Sequence, residues 1–248
     1  MEGILENVPI LYISLIEDEE RRQLLRRQLD QFGLEAEWVP AVDARDLSAR
    51  DGGFGDLSRG QLACWMSHRR AWQRTRELGL SEVCVLEDDL YWLADPRPYL
   101  VRGLLHDHGL DLLQLGSISY QFPERSASMT VFKQASLACR WARRIDRRFS
   151  DLETRIRARL IRKSARHLGA YLASDGLIGL EPREFGAGTH SYVISLKGIT
   201  TLEGLLRHRP ARIAIDGYLS DAAARALVAT ARLDPGVSTQ YPFVSHIR

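Results

Sequence analysis

Short apolar runs of β-prone residues alternate with helical patterns along this chain, and that alternation limits the folds it can adopt. The first run, at 10–16, ends in the acidic cluster EDEE at 17–20. Such a cluster suits the first turn of a helix, where free N–H groups favour negative charge. A one-sided apolar stripe follows and ends at Gly33, a good helix terminator: Leu24, Leu25, Leu29 and Phe32. A short strand at 37–42 completes a strand–helix–strand unit.

The same alternation continues to the end of the chain. After a glycine-rich loop, Ser58 is placed to cap a long helix that runs to about Gly79. Buried strands are predicted at 83–86, 111–116 and 191–196. With 248 residues and 45% hydrophobic content the chain is long enough for a large core. We therefore expect an α/β fold whose twisted sheet is mostly parallel and flanked by helices.

Charge and hydropathy exclude several classes of protein. The net charge is only +2, so no global field attracts nucleic acid or an anionic surface. The apolar stretch at 8–16 has nine residues, whereas a membrane-spanning helix needs about 20. The N-terminus is acidic and unlike a secretory signal, which predicts a cytoplasmic protein. The three cysteines lack the spacing of a metal or disulfide framework, and we expect them to be reduced packing residues: Cys64, Cys84 and Cys139.

One segment departs from this balance of charge. Residues 140–166 contain ten arginines and one lysine but three acids, and apolar residues recur there every three or four positions. This predicts an amphipathic, arginine-rich helical insertion at 136–170. Three interpretations stay open: a helix on the core with a solvated face, contact with an anionic membrane, or nucleic-acid binding. The last is disfavoured because no aromatic stacking surface and no RRM- or KH-like signature accompanies the charge.

Three adjacent carboxylates, Glu87, Asp88 and Asp89, directly follow the buried strand at 83–86. Ligand sites in α/β sheets gather beyond the carboxyl ends of strands. Glu87 and Asp89 are two residues apart, and a turn can aim both at one hard divalent cation such as Mg²⁺ or Mn²⁺. A solvated turn or a helix cap is the alternative interpretation of the same acids.

Several motifs occur in a fixed order around these acids. They are ISL at 13–15, PAVD at 40–43, GQLACWMSH at 60–68, LEDD at 86–89, GTHSY at 188–192 and IDGYL at 215–219. Together they resemble glycosyltransferase family 25, the lipooligosaccharide and collagen galactosyltransferase family. The likeness covers residues 8–125 and 185–245.

The resemblance implies a single GT-A-like domain over 1–248, a UDP-sugar donor and Mn²⁺ (or Mg²⁺) bound at the acidic motif. It also implies inverting transfer of a hexose, most often galactose, to a saccharide of lipopolysaccharide or lipooligosaccharide. The protein would then work at the inner face of the cytoplasmic membrane on a lipid-linked acceptor. The acidic motif of the family falls on Glu87, Asp88 and Asp89, and Glu87 and Asp89 are expected to hold the metal. His190 is a further candidate for a metal or phosphate contact; the alternative is a histidine bonded to the backbone beside a turn. Donor binding is expected at Glu87, Asp89 and His190 and at Ser67, His68, Gly188 and Thr189.

Two residues are assigned to catalysis. An inverting transfer needs a base on the acceptor hydroxyl, and Asp216 is the first choice because the apolar residues 213–215 would hold it at a strand end. Its alternative role is a helix N-cap; Asp175 and Asp43 are the next candidates. Asp88 is expected to bind a donor hydroxyl or to orient its neighbours. Ser14 and Gly217 depart from the family pattern, which has Asn and an acidic residue there.

The sequence lacks the signature motifs of several other enzyme and nucleotide-binding classes. The chain has no G-x-G-x-x-G, no P-loop motif, no H-E-x-x-H and no G-x-S-x-G. Two alternatives to a transferase remain. One is a degenerate transferase-like adaptor that binds membrane or nucleic acid through its basic helix, and the other is a metal-dependent phosphohydrolase that uses the same carboxylates.

Overall fold

The structure, a computed structural model, describes residues 6–47, 57–116, 179–182, 185–186, 188–208, 212–234 and 236–240. The helices within these ranges are α1 (Glu19–Gln31), α2 (Arg59–Glu77), α3 (Leu104–Asp107), α4 (Leu196–His208) and α5 (Ile215–Ala224). The strands are β1 (Ile10–Ser14), β2 (Glu37–Pro40), β3 (Glu82–Glu87), β4 (Leu90–Trp92), β5 (Leu112–Gln114), β6 (Gly179–Pro182), β7 (Ser191–Ser195), β8 (Thr230–Asp234) and β9 (Ser238–Gln240).

Seven of these strands form one sheet, in the order β2-β1-β3-β7-β5-β8-β6. β1 pairs in parallel with β2 and β3, and β5 pairs in parallel with β8. β7 is antiparallel to both β3 and β5, and β6 is antiparallel to β8. Five strands therefore run in one direction and two in the other, as expected for a mostly parallel α/β sheet.

Strand alternation divides the core between the two faces of this sheet. Leu11 and Ile13 point to one face and Ile10 and Tyr12 to the other, because successive side chains of a strand alternate. The first face packs against the apolar sides of α2, α4 and α5, which include Trp65 of α2. The second face packs against α1 and α3. The result is a three-layer α/β/α arrangement with apolar strands buried on both sides.

Local sequence signals set the helix ends near the candidate site. Ser58 caps α2: its hydroxyl accepts a hydrogen bond from the Gln61 backbone N–H, and the Gln61 side chain accepts one from Ser58 N. Gly33 follows α1 with a φ of +63°, a conformation that glycine adopts without strain. Both predicted boundaries are confirmed.

A second, two-stranded sheet pairs β4 with β9 in antiparallel register. It lies beside the main sheet, since Gly116 forms an isolated bridge with Ser238. A Cβ at Gly116 would lie 2.1 Å from the Ser238 carbonyl oxygen, so this approach requires glycine. The pairing brings the end of the described chain to the turn that follows β3.

One expectation from the sequence is wrong, and another concerns residues that the structure does not describe. Residues 213–215 do not form a strand: Ile215 begins α5 and Ala214 is its N-cap, so Asp216 lies in the first turn of a helix. The predicted insertion at 136–170 lies outside the described residues. Within the described part of the chain, no helix combines the length and hydropathy needed to cross a bilayer.

Candidate functional site

The carboxyl ends of β1, β3 and β5 meet at one edge of the sheet. β1 and β3 pair Ile13 with Glu87, and β3 and β7 pair Leu86 with Ser191. Because β7 is antiparallel, its first residue and the preceding segment at 188–190 reach the same edge. The topology therefore collects the acidic motif and the GTHSY motif in one place, at a strand edge that favours ligand sites.

Glu87 is held through one of its two carboxylate oxygens. Oε1 accepts a hydrogen bond from His68 Nε2 at 3.1 Å and another from the Thr189 hydroxyl. Burial favours the neutral acid, but these hydrogen bonds outweigh it and give Glu87 a lower pKa than an ordinary glutamate. Both hydrogen bonds from described residues end on Oε1, which leaves Oε2 for a ligand.

Asp89 shows the same arrangement. Its Oδ2 accepts a hydrogen bond from Gln240 Nε2 at 2.6 Å, while its buried Oδ1 has no hydrogen-bond partner in the described part of the chain. Burial and the charge of Glu87 raise the pKa of Asp89 to about 8. A buried carboxylate oxygen without a donor is costly, and a bound cation would relieve that cost.

Asp88 contacts Arg21 of α1 and the end of β1. Arg21 lies 3.3 Å from its Oδ1, and its backbone N–H donates to the Ile13 carbonyl oxygen. Burial raises the pKa of Asp88, and hydrogen bonds from Ser14 and Arg21 oppose that rise. The structure thus places Asp88 beside the end of β1, and its charge contributes to the raised pKa of Asp89.

His190 is buried with neither ring nitrogen in a hydrogen bond of good geometry to a described residue. Burial lowers the pKa of His190 to about 4, so the imidazole is neutral at neutral pH. The negative charge of Glu87 opposes that shift, so the two side chains interact electrostatically. Its assignment as a ligand stays a prediction.

Gly188 and Asp216 connect two distant segments. The Gly188 backbone N–H donates to Asp216 Oδ2 at 3.2 Å, and the Gly217 N–H donates to Oδ1 at 2.8 Å. Gly188 has a φ of +94°, which strongly favours glycine. Gln114 clamps the same loop, since its side chain bonds Gly188 O and both backbone groups of Gly186. Asp216 is therefore oriented by backbone amides rather than by a strand.

Ser67 and Asp43 are used elsewhere in the fold. The Ser67 hydroxyl donates to Ala63 O at 2.7 Å and accepts from Val42 N at 2.8 Å, which ties α2 to the loop after β2. Hydrogen bonds from Arg45 lower the pKa of Asp43 to about 2, which makes it a poor base. Neither side chain joins the cluster around Glu87. Asp175 lies outside the described residues.

Cys64 lies within this cluster. Burial, with the charges of Glu87, Asp89 and Asp216, raises the pKa of its thiol well above the ordinary value. The thiol is therefore protonated at neutral pH and is no nucleophile. Ligand atoms of Cys64, His68 and Glu87 lie within 4.8 Å of one another, and in the described part of the chain no other three candidate ligands come so close. The candidate ligand atoms of Glu87, Asp89 and His190 therefore do not all lie within 4.8 Å of one another in this structure.

A family comparison matches this arrangement of motifs. The sequence model described as "Glycosyltransferase family 25 (LPS biosynthesis protein)" matches residues 7–219, which is most of the chain. The chain belongs to glycosyltransferase family 25. The resemblance inferred from the motifs is confirmed, and the α/β sheet is compatible with a GT-A-like fold.

Three curated relatives of this family 25 chain illustrate the similarity. A glycosyltransferase 25 family member of Drosophila pseudoobscura pseudoobscura is 34% identical over 38% of this chain and 18% of its own length. Procollagen galactosyltransferase 1 of Danio rerio is 28% identical over 33% of this chain and 16% of its own. The inactive glycosyltransferase 25 family member 3 of Mus musculus is 29% identical over 43% and 21%. The matched part spans about a fifth of these relatives.

The sequence alone does not identify two residues of this family 25 site, Gln114 and Gln240. Gln114 carries one signal, a polar side chain at the end of a buried strand. Gln240 carries none, because only the pairing of β4 with β9 brings it to Asp89. Both act as amide donors that fix a loop or a carboxylate.

Proposed function

We propose that this chain is a metal-dependent, inverting glycosyltransferase that moves a hexose from a UDP-sugar to a saccharide. One observation supports this most directly. Glu87 and Asp89 each have one oxygen anchored by an amide, imidazole or hydroxyl donor, and no described residue donates a hydrogen bond to the other oxygen of either acid. Two such acids at a strand edge suit a cation that is shared with a diphosphate.

The residues present fit a divalent ion. Mg²⁺ and Mn²⁺ take oxygen ligands, and Mg²⁺ commonly binds through one or two carboxylates plus substrate phosphates. Glu87 and Asp89 would hold the ion, with the diphosphate supplying further oxygens, and His190 is a further candidate ligand. The ion would neutralise the charge that builds on the leaving diphosphate, which is worth several kcal/mol in such reactions.

Asp216 is the proposed general base. The acceptor hydroxyl oxygen forms a bond to the anomeric carbon while the bond from that carbon to the diphosphate oxygen breaks. The hydroxyl proton passes to Asp216, and the electron pair leaves with UDP. Backbone N–H groups of Gly188 and Gly217 hold both oxygens of Asp216, and each oxygen keeps a lone pair for the acceptor. Asp88 is assigned to a donor hydroxyl at the end of β1, beside Ser14.

Galactose is the proposed sugar and a lipid-linked saccharide the proposed acceptor. A relative is named procollagen galactosyltransferase, and the family description names lipopolysaccharide biosynthesis. Membrane contact through the basic segment at 140–166 and a cytoplasmic location are part of the proposal, and the sequence pattern is their only support. His68, Ser67 and the segment 188–190 complete the proposed donor site, with Ser67 acting through the packing of α2.

The test is UDP release from a panel of UDP-sugars with Mn²⁺, with Mg²⁺ and with a chelator. We expect one UDP-sugar, UDP-galactose foremost, to react in the presence of the metal and of a saccharide acceptor. The chelator should stop the reaction. Matched reactions with a simple phosphate ester identify a phosphohydrolase instead.

Two results would overturn the proposal. One is the absence of UDP release and of any UDP-induced rise in melting temperature with every donor. That result would place this chain with catalytically inactive members, of which one relative is an example by name. The other is full activity in the presence of the chelator, which would remove the metal.

A further inference from the structure

Three buried side chains, Trp72, Tyr192 and His68, form a continuous hydrogen-bonded series that ends at Glu87. Trp72 Nε1 lies 3.0 Å from Tyr192 Oη, and Tyr192 Oη lies 2.8 Å from His68 Nδ1. His68 Nε2 lies 3.1 Å from Glu87 Oε1. Trp72 and Tyr192 are fully buried and His68 is 1% exposed, so water does not compete for the contacts among these three side chains. The Glu87 side chain, at the end of the series, is 24% exposed.

The donor and acceptor roles in this series follow from hydrogen-bond counting. An indole N–H only donates, so Trp72 Nε1 donates to Tyr192 Oη. Tyr192 keeps one proton to donate, and in the described part of the chain His68 Nδ1 is the acceptor available to it. Nδ1 therefore carries a lone pair, and the single proton of the neutral ring lies on Nε2, which donates to Glu87.

Packing fixes the ring as well as the proton. The rings of His68 and Tyr192 stack with centroids 5.6 Å apart and an interplanar angle of 29°. Tyr192 lies in the middle of β7 and Trp72 in α2, so two core elements define the ring position. His68 has little freedom to rotate, and its Nε2–H direction is set before any ligand binds.

We propose that Trp72 and Tyr192 are positioning residues, which hold His68 in its Nε2–H tautomer so that it binds Oε1 of Glu87 and leaves Oε2 for the metal–diphosphate group. The role in metal binding rests on the proposed function, whereas the hydrogen-bond pattern does not depend on it. It makes His68 a donor to the acidic motif rather than a metal ligand, although Cys64 and Glu87 lie close to it. Hydrogen-bonded partners of this kind tune metal affinity or activity by about 10- to 100-fold.

The first measurement needs no variant and no substrate. Long-range ¹H–¹⁵N correlation spectra of the ¹⁵N-histidine-labelled full chain report which ring nitrogen of His68 carries the proton. We expect the Nε2–H tautomer at neutral pH without metal. A His68 with its proton on Nδ1, or on both nitrogens, would overturn the proposal, and the Nδ1 form would make the Cys64, His68 and Glu87 cluster a candidate site for a thiophilic metal.

Tyr192→Phe removes the hydroxyl that donates to Nδ1. We expect the ¹⁵N resonance of His68 Nδ1 to move towards that of a nitrogen without a hydrogen bond, and Mn²⁺ affinity to fall about 10-fold or more. The matched control is Tyr218→Phe, which removes another core hydroxyl that donates to Leu202 O at 3.0 Å. The control should keep the wild-type Nδ1 resonance and Mn²⁺ affinity within about twofold of wild type.

The NMR measurement on His68 and the Mn²⁺ affinity measurement together separate this inference from the proposed function. An unchanged Nδ1 resonance in Tyr192→Phe contradicts the hydrogen-bond series, whatever the activity. A wild-type chain with the Nε2–H tautomer but no Mn²⁺ binding contradicts the proposed function and leaves the series intact. Equal Mn²⁺ affinities in Tyr192→Phe and Tyr218→Phe would contradict the positioning role itself.

Discussion

Gln240 donates a hydrogen bond to Asp89 across 151 positions of sequence, with Nε2 and Oδ2 2.6 Å apart. This contact holds one oxygen of Asp89, while the other is buried and accepts no hydrogen bond from any residue that the structure describes. The pairing of Leu90 in β4 with Gln240 in β9 produces it. The small second sheet is therefore part of the candidate site.

Replacing Gln240 tests that relationship. Gln240→Ala removes the amide that fixes Asp89, and we expect Mn²⁺ affinity to fall about 10- to 100-fold. Gln73→Ala is the control, because Gln73 bonds Glu77 on the exposed side of α2. Isothermal titration of both variants with Mn²⁺ measures the difference. Equal affinities would show that Gln240 has no influence on metal binding.

Asp89→Asn replaces the carboxyl group, the proposed metal ligand, by a neutral amide at nearly constant shape. If Asp89 holds the ion, UDP release should fall roughly 100-fold or more, since a bound cation contributes several kcal/mol to such a step. Asp95→Asn changes an exposed acid that pairs with Arg97, and it should keep wild-type turnover. Circular dichroism checks that both variants are folded. Full turnover in Asp89→Asn would exclude Asp89 as a metal ligand.

Asp216→Asn separates proton transfer from binding. We expect kcat to fall by about 10²- to 10⁴-fold, the range for loss of a general base, with UDP and Mn²⁺ affinities near wild type. Asp221 lies on the same helix and pairs with Arg225 at its exposed end, so Asp221→Asn is the control. A loss of affinity with kcat unchanged would assign Asp216 to donor binding instead.

His190 predicts an acid-dependent loss of stability in the metal-free chain. Its folded pKa of about 4 lies below the ordinary value of 6.5, so the unfolded chain binds more protons between these values. The contribution of His190 is fully present above the upper value and is lost as pH falls towards 4, by up to about 3 kcal/mol. Urea unfolding of wild type and His190→Gln across this interval measures it. A constant difference between the two curves would contradict the prediction.

The sequence by itself determined the class of fold and the edge of the sheet where the site lies. The alternation of apolar strands with one-sided helices is local, and so are the cap at Ser58 and the terminator at Gly33. Acids directly after a buried strand lie at its carboxyl end wherever the strand pairs. These features depend on residues within a few positions of one another, which is why the chain alone predicts them.

The tertiary structure decided which residues share the site. Asp88 lies between Glu87 and Asp89 in sequence, but its carboxylate pairs with Arg21 of α1, because the chain leaves β3 in a turn at residues 88–89. Asp216 was expected at a strand end and lies in the first turn of α5, where Gly188 donates to it. Such contacts join residues far apart along the chain. Only the packing of the sheet, its helices and the second small sheet brings them within hydrogen-bonding distance.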